Sequence, residues 1–455
     1  MSHTISPTKV LMAGFLAFAT FFAVEPGMVR AAGPGAAAPD LRSGERAIER
    51  LGDRLADAAK KMRVSERELR QTLRDDATLK VDSKARLLFV EKAPERSSIS
   101  ASAQWPTTPP YATSQTFALH SRPNATLKIY LDFTGHTTAG TRWNQEFTGG
   151  RAFTTPAFDL DGSRSTLSSD EHAAIQLTYL SVREDFAPFN VDVTTQDPGL
   201  GALTYSGAGD TTWGTRVVIG PNTWYPSQAG GVAYVGTFGS SIDTPVYVFA
   251  NGIVSTKFVA EASSHETGHS LNLTHDGTTA GEEYYAGHGS WAPIMGNSYG
   301  RPISQWSAGE YTGANNQQND LNVLGYYLGW LSDDIAGGTG TSATLPVGTN
   351  RYGVINFTND VDAFKFSLGA SRSITISTWN STGPVDPNLN MRLVLRNSAG
   401  TVLATSSPTD STTARMTVTL AAGTYYAYVK GVGEGTASTG WTAYDSLGFY
   451  GIVLN

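Results

Sequence analysis

The chain has 455 residues, a formal net charge of −7, only 16% charged residues, 48 glycines and no cysteine. That length calls for two or three domains. The missing cysteines exclude disulfides, thiolate catalysis and a cysteine latch on a metal, and the acidic balance argues against a nucleic-acid partner.

Lys9 precedes an apolar run from Val10 to Val24, broken by Pro26-Gly27, and Val29-Arg-Ala31-Ala32 offers small residues for cleavage. This is the pattern of a signal peptide, expected over residues 1–31. It implies a secreted protein with no membrane association once the leader is gone.

Residues 32–122 read as a helical pro-region and linker. Leu41 to Arg96 holds fifteen Lys and Arg against eleven Asp and Glu, whereas Ser97 onward is strongly acidic. LRSGERAIERLGDRLADAAKKM is helix-patterned, and SERELRQTLRDD follows an N-cap at Ser65. This basic face is either a solvated surface or the docking face of a propeptide against an acidic enzyme, serving as intramolecular inhibitor and folding aid. The stretch from Ser97 to Gln115 reads as an exposed linker where removal occurs.

Residues 123–335 carry the chemistry. Strands are expected at KIYLDFTGH from about Leu127, in APFNVDVTTQD, in TRVVIG, in AGGVAYVGTFGS and in TPVYVFA. A helix is expected from Leu167 to Phe186, and another from near Lys257. Gly230 to Val235, with Gly231, Val232 and Ala233 at its centre, is a candidate sheet edge for peptide binding by β-augmentation; an ordinary bulged strand is the alternative.

The second helix leads into HETGHSLNLTH, His265 to His275. His265 and His269 are one turn apart and project from one face, about 6 Å apart along the axis. Both can point at one metal, with Glu266 beside it as general base. In an unbroken helix His275 would lie about 9 Å further on and face away. It joins the site only if the chain turns sharply, and Asn272 is among the non-glycine residues that accept positive φ.

The motif HExxHxxNxxH resembles the metzincin zinc signature HExxHxxGxxH with asparagine for glycine. Asp276 directly after it resembles the reprolysin (adamalysin) branch. The resemblance implies a metzincin-like α+β catalytic domain, a twisted mixed sheet with long helices, holding one catalytic Zn2+ by His265, His269 and His275. It also implies a structural methionine in a tight turn below the metal, for which Trp291-Ala-Pro-Ile-Met295-Gly296 supplies Met295. The nearest downstream tyrosine is Tyr299. Tyr299 and His288 are candidates for contact with substrate or oxyanion. Tyr284, Tyr285 and His288 either line the pocket or pack. A further helix is expected from Ser307 through NNQQNDLNVLGYYL. Asp159-Leu-Asp161-Gly-Ser163 lacks the glycine position of an EF-hand loop and reads as a solvated turn.

Residues 336–346 (GGTGTSA at the centre) read as a linker, and 347–455 as an all-β sandwich of short strands: RYGVINFT, DAFKFSL, SITISTW, MRLVLRN, TVLATSS, ARMTVTL, GTYYAYVKG and FYGIVLN. NDVDAFKFSL, NLNMRLVLRNSAGTVLATS and LAAGTYYAYVKGVG resemble the bacterial pre-peptidase C-terminal domain of secreted proteases; a carbohydrate-binding module is the rival. Asp360 and Asp362 are weak candidates for Ca2+.

The sequence therefore points to a secreted zinc metalloendopeptidase made as a preproenzyme, acting on a protein or peptide. Two alternatives remain open at this stage: a zinc-binding but catalytically weak adhesion or surface-binding protein, and a zinc hydrolase of a non-peptide substrate.

Overall fold

The computed structural model describes residues 39–93, 107–163, 166–250, 255–380, 387–409 and 411–455. The signal peptide expected over 1–31, and the linker from 97 to 106, lie outside the described residues.

The amino-terminal part begins with helices α1 (Glu45–Leu51), α2 (Leu55–Lys61) and α3 (Glu66–Asp75). Ser65 caps α3 in a capping box with Glu68, the reciprocal arrangement that satisfies two orphan backbone donors. The helical expectation stops there. Residues 79–90 form a hairpin of β1 (Leu79–Val81) and β2 (Leu87–Val90). Leu87-Leu-Phe-Val90 is an unbroken apolar run, which suits a strand buried on both faces.

The central unit follows as β3 (Leu127–Asp132), β4 (His136–Thr138), α4 (Arg142–Phe147), β5 (Phe153–Thr155) and α5 (Ser169–Asp185). Next come β6 (Val191–Thr194), β7 (Trp213–Gly220), β8 (Gly231–Tyr234), β9 (Val246–Phe249) and α6 (Thr256–Ser270). The unit closes with β10 (Trp291–Pro293), β11 (Ile303–Gln305) and α7 (Asp320–Leu328). One seven-stranded sheet runs in the order β1-β2-β8-β9-β7-β3-β6. Strands β6, β3, β7 and β9 are parallel; β8 and β2 are antiparallel to their neighbours. Helices α5 and α6 pack on one another and on this sheet.

Two expectations change here. The helix foreseen from Ser307 begins only at Asp320, capped by the Asn319 side chain; Gly309 and Gly313, both at φ 80°, break the backbone before it. Strand β8, foreseen as a sheet edge, is interior: β2 covers its free side, with Leu88 opposite Tyr234, Phe89 opposite Ala233 and Val90 opposite Val232.

Helix α6 is buried all round except at Lys257. Ala260, Ala262, Ser263, Ser264, Thr267, Gly268 and Ser270 keep it thin enough for neighbours on every side. Two of its hydroxyls return bonds to the helix itself, Ser263 to the Val259 carbonyl at 2.6 Å and Thr267 to the Ser263 carbonyl at 2.7 Å, while Ser264 donates outward to Asp185.

The carboxy-terminal part is all β: β12 (Ala343–Thr344), β13 (Arg351–Ile355), β14 (Asp362–Leu368), β15 (Arg372–Asn380), β16 (Met391–Asn397), β17 (Val402–Ser406), β18 (Arg415–Leu420), β19 (Gly423–Gly431) and β20 (Gly448–Leu454). Each of the eight anticipated strands forms, and β12 adds a ninth inside the expected linker. They make sheets β12-β14-β19-β16-β17 and β13-β20-β15-β18, with Phe364, Ile376, Leu393, Ala427 and Ile452 turned inward and fully buried.

This part is joined to the central unit by buried polar bonds. The Gln305 side-chain amide donates to the carbonyls of Asn388 (2.6 Å) and Asp445 (2.8 Å) and accepts from the Trp291 indole (2.9 Å). Asn388 also donates to Asp185 at 2.9 Å. Because an unmade buried bond costs about 1–3 kcal/mol, Gln305→Leu is expected to lose about 2 kcal/mol or more. Thermal denaturation of the two proteins, followed by circular dichroism, measures the difference.

Candidate metal centre

His265 and His269 leave the buried face of α6 one turn apart. The helix ends at Ser270, and the chain reverses at Asn272, whose φ is 76°. The Leu273 amide then bonds back to the Gly268 carbonyl at 2.9 Å. The reversal brings His275 beside the other two rings: the Nε2 atoms of His269 and His275 are 3.1 Å apart. The left-handed conformation that the spacing requires is therefore adopted by asparagine.

A fourth ligand atom comes from outside the motif. Glu91, directly after β2, places Oε1 at 3.1 Å from His275 Nε2 and 3.3 Å from His269 Nε2, and Oε2 at 3.7 Å from His265 Nε2. Glu91, His265, His269 and His275 are all buried, and one ligand atom of each lies within 4.8 Å of the others. Ligands at about 2.0–2.2 Å from a tetrahedral zinc ion sit roughly 3.3 Å from one another, so the spacing fits.

The tautomers fit as well. His265 Nδ1 donates to the Ile294 carbonyl at 2.8 Å, and His269 Nδ1 donates to the Leu273 carbonyl at 2.9 Å. A carbonyl only accepts, so the proton is on Nδ1 and each Nε2 turns a lone pair inward. His265 Nε2 is buried without a hydrogen-bond partner. Burial holds His265 down to about 3 and lowers His269 as well, which keeps both rings in the neutral form that binds a metal. His275 differs: burial opposes its charge, but the carboxylates of Glu91 and Asp76 outweigh it and raise it to about 10. Its Nδ1 contacts Asp76 Oδ2 at 2.7 Å.

Glu266 lies against β8, where a Cβ added at Gly231 would stand 1.9 Å from its Oε1. Its Oε2 is buried without a partner, and burial together with Glu91 pushes its carboxyl well above the usual range. Met295 is fully buried beneath the helix: a Cβ added at Gly268 would meet its Sδ at 2.7 Å. Residues 293–296 form a tight turn, closed by the Gly296 amide on the Pro293 carbonyl at 3.0 Å. The same turn supplies the Ile294 carbonyl that orients His265. Asp276 is buried; its amide bonds to the Met295 carbonyl at 2.9 Å, and its carboxyl is raised to about 8 by burial and Glu310.

The other candidates are spread out. Tyr299 stacks on Phe258, with centroids 4.3 Å apart, rather than on a histidine. His288 points away, with Nε2 on the Gly440 carbonyl at 2.7 Å and Nδ1 on Tyr285 at 2.6 Å. Tyr284 is the tyrosine at the centre. Its hydroxyl donates to Glu91 Oε2 at 2.5 Å, and its ring is 4.4 Å from that of His275. Gly231, Val232 and Ala233 lie along β8, facing β2. Asp159 and Asp161 accept from the backbone amides of residues 161–163, as in a closed polar turn. Asp360 accepts from the Asn356 amide at 2.9 Å, and Asp362 accepts from the Tyr450 hydroxyl.

Glu91, Asp76 and Phe89, the last stacked on His269 at 3.9 Å, carry no sequence signal of their own. They sit in a segment whose helical and charge pattern directs attention elsewhere.

The model of the bacterial pre-peptidase C-terminal domain family matches residues 360–431, a stretch running from just before β14 to the last residue of β19. Among solved structures, the chain is similar to the pre-peptidase C-terminal domain of a collagenase from Bacillus anthracis, at 18% identity over 25% of this chain and 94% of that chain, with a TM-score of 0.19. It is also similar to PliG of Aeromonas hydrophila, a periplasmic inhibitor of g-type lysozyme, at 13% identity over 25% of this chain and 96% of that one, with a TM-score of 0.17. No curated protein matches the chain. Among the described residues, no helix is long and apolar enough to cross a membrane.

Two substitutions test the geometry of the centre. Asn272→Gly is expected to keep both stability and metal retention, whereas Asn272→Val, β-branched at positive φ, should cost about 1–2 kcal/mol and loosen His275. Denaturant titration with parallel metal analysis reads both.

Proposed function

We propose that the chain is a secreted zinc-dependent metalloendopeptidase of the metzincin type, made with an amino-terminal pro-segment. The observation that carries this reading is the convergence of His265, His269 and His275 with Glu266 alongside. The three histidines would hold the ion. Bound there, zinc supplies a Lewis acid that brings a ligated water near neutrality and polarises a carbonyl.

The chain's own residues do the rest. Glu266, the general base, takes up a proton during attack on the peptide carbonyl and returns it to the leaving amine. The carbonyls of Ile294 and Leu273 fix two of the imidazoles so that Nε2 faces inward. Met295 supports the last turn of α6 from below, against Gly268, where an added Cβ would meet its sulfur. Strand β8 offers Gly231 to Ala233 for antiparallel pairing with an extended peptide once β2 is gone, and Tyr284 stands beside the third histidine, within reach of substrate.

A carboxy-terminal domain of the bacterial pre-peptidase type accords with a protease.

The test separates the roles. In protein freed of residues 1–106, Glu266→Gln is expected to bind one zinc as the parent does and to lose at least about a hundredfold in cleavage of a mixed peptide library. Equal cleavage by both proteins rejects Glu266 as the base, and no cut in any peptide by the zinc-loaded parent rejects proteolysis.

A further inference from the structure

We propose that the segment Asp40–Lys92 is a built-in stopper for the metal centre. Glu91 completes the ligand shell, and Asp76 anchors His275, so the intact chain carries a closed four-ligand site that opens when the segment leaves. The proposal rests on the zinc reading given above and adds the chemistry of its regulation.

The ligand count is the first ground. Sites that only hold zinc are closed by four protein ligands, whereas catalytic sites use three and leave one position open. His265, His269 and His275 make three, and Glu91 occupies the fourth direction, 3.1–3.7 Å from all three nitrogens. A carboxylate buried among rings is costly unless a cation compensates it, and the ion would do so.

Glu91 is also held in place. Its amide donates to the Gly231 carbonyl at 3.0 Å, and its carbonyl accepts from the Gly230 amide at 2.9 Å, extending the β2–β8 ladder. The Tyr284 hydroxyl fixes Oε2 at 2.5 Å. A residue set by two ladder bonds and a phenol is positioned as a ligand.

Asp76 is the second ground. Each histidine needs an acceptor on Nδ1 to fix its ring. For His265 and His269 that acceptor is a carbonyl of the central unit. For His275 it is Asp76, at the end of α3 in the amino-terminal segment. Thr78 steadies Asp76 through its amide, 2.9 Å from Oδ1, and through its hydroxyl. The segment thus supplies one ligand and one ligand orienter. Its departure would both open the site and weaken the hold on the metal, since losing such an orienter typically costs 10–100-fold in affinity.

The segment also covers the cleft. Strand β2 takes the whole free side of β8, and Phe89 lies flat on His269, so an extended peptide has no strand to pair with.

The experiment uses the full chain loaded with one zinc and compares the parent with Glu91→Gln and Asp76→Asn. The first readout is zinc transfer to a chromogenic chelator. The second is the visible spectrum of the cobalt(II)-substituted proteins titrated with acetohydroxamate. Circular dichroism selects folded protein, and the near-isosteric Gln at 91 keeps an acceptor for Tyr284. Both variants are expected to surrender zinc about 10–100-fold faster than the parent. Acetohydroxamate is expected to change the cobalt spectrum of Glu91→Gln at concentrations that leave the parent unchanged. Equal release rates and equal response to hydroxamate in the parent and Glu91→Gln overturn the proposal while leaving the zinc reading intact. Unchanged release in Asp76→Asn overturns the role of Asp76. Failure of the parent to hold zinc overturns the zinc reading, and the proposal with it.

Discussion

Three imidazoles and one carboxylate share a buried pocket, and much of the architecture follows from keeping them there. His265 and His269 turn lone pairs toward one point and His275 crowds a third ring nitrogen beside them, 3.1 Å from that of His269, an arrangement that favours a cation between them. The rings cannot swing away, because each Nδ1 is tied to an acceptor on a different element: the Ile294 carbonyl in the methionine turn, the Leu273 carbonyl after the helix, and Asp76 at the end of α3. The pocket is therefore assembled from three parts of the chain that are far apart in sequence. Displacing any one of them frees a ring.

The thinness of α6 serves the same constraint. A helix that holds its histidines in a buried centre must be reached from several sides at once, by the sheet, by the methionine turn and by α5. Only a run of alanine, serine, threonine and glycine leaves room for all of these. At Gly268 the fit is tightest, because Met295 sulfur occupies the space a methyl group would need. The carboxy-terminal sandwich joins the scaffold behind the centre through Gln305 and Asn388: Asn388 donates to Asp185, which also accepts from Ser264 of α6.

What the sequence disclosed depended on whether a signal was local. The helix ending in HETGH, the turn at Asn272, the PIMG turn and the eight strands of the sandwich are each written in a few consecutive residues, and the backbone follows them. Glycines at 309 and 313 are equally local, and they break the helix expected from Ser307. Strand β2, Glu91 and Asp76 were hidden because their meaning is non-local. LLFV falls in a segment expected to be helical, and nothing within it names β8 as partner. A glutamate one residue past a strand looks like any other surface acid. Charge composition also misled: it pointed to a basic face docked on an acidic body. The described contacts rest instead on strand pairing and buried carboxylates, with Lys92 to Glu283 as an ion pair between the two parts.

The absence of cysteine sharpens this last point. A thiolate binds zinc strongly enough that one residue on a loose peptide can plug a site. A carboxylate is a harder, weaker ligand for this ion, and free in water it would exchange readily. A chain without thiols that closes its centre with glutamate must add grip from elsewhere. Here the ladder bonds on either side of Glu91, the Tyr284 phenol, the stacked Phe89 and the second carboxylate on His275 all come with the same segment. On the proposed zinc reading, the size of that contact, and its use of a whole strand rather than a short tail, offset the modest affinity of a single carboxylate for the ion.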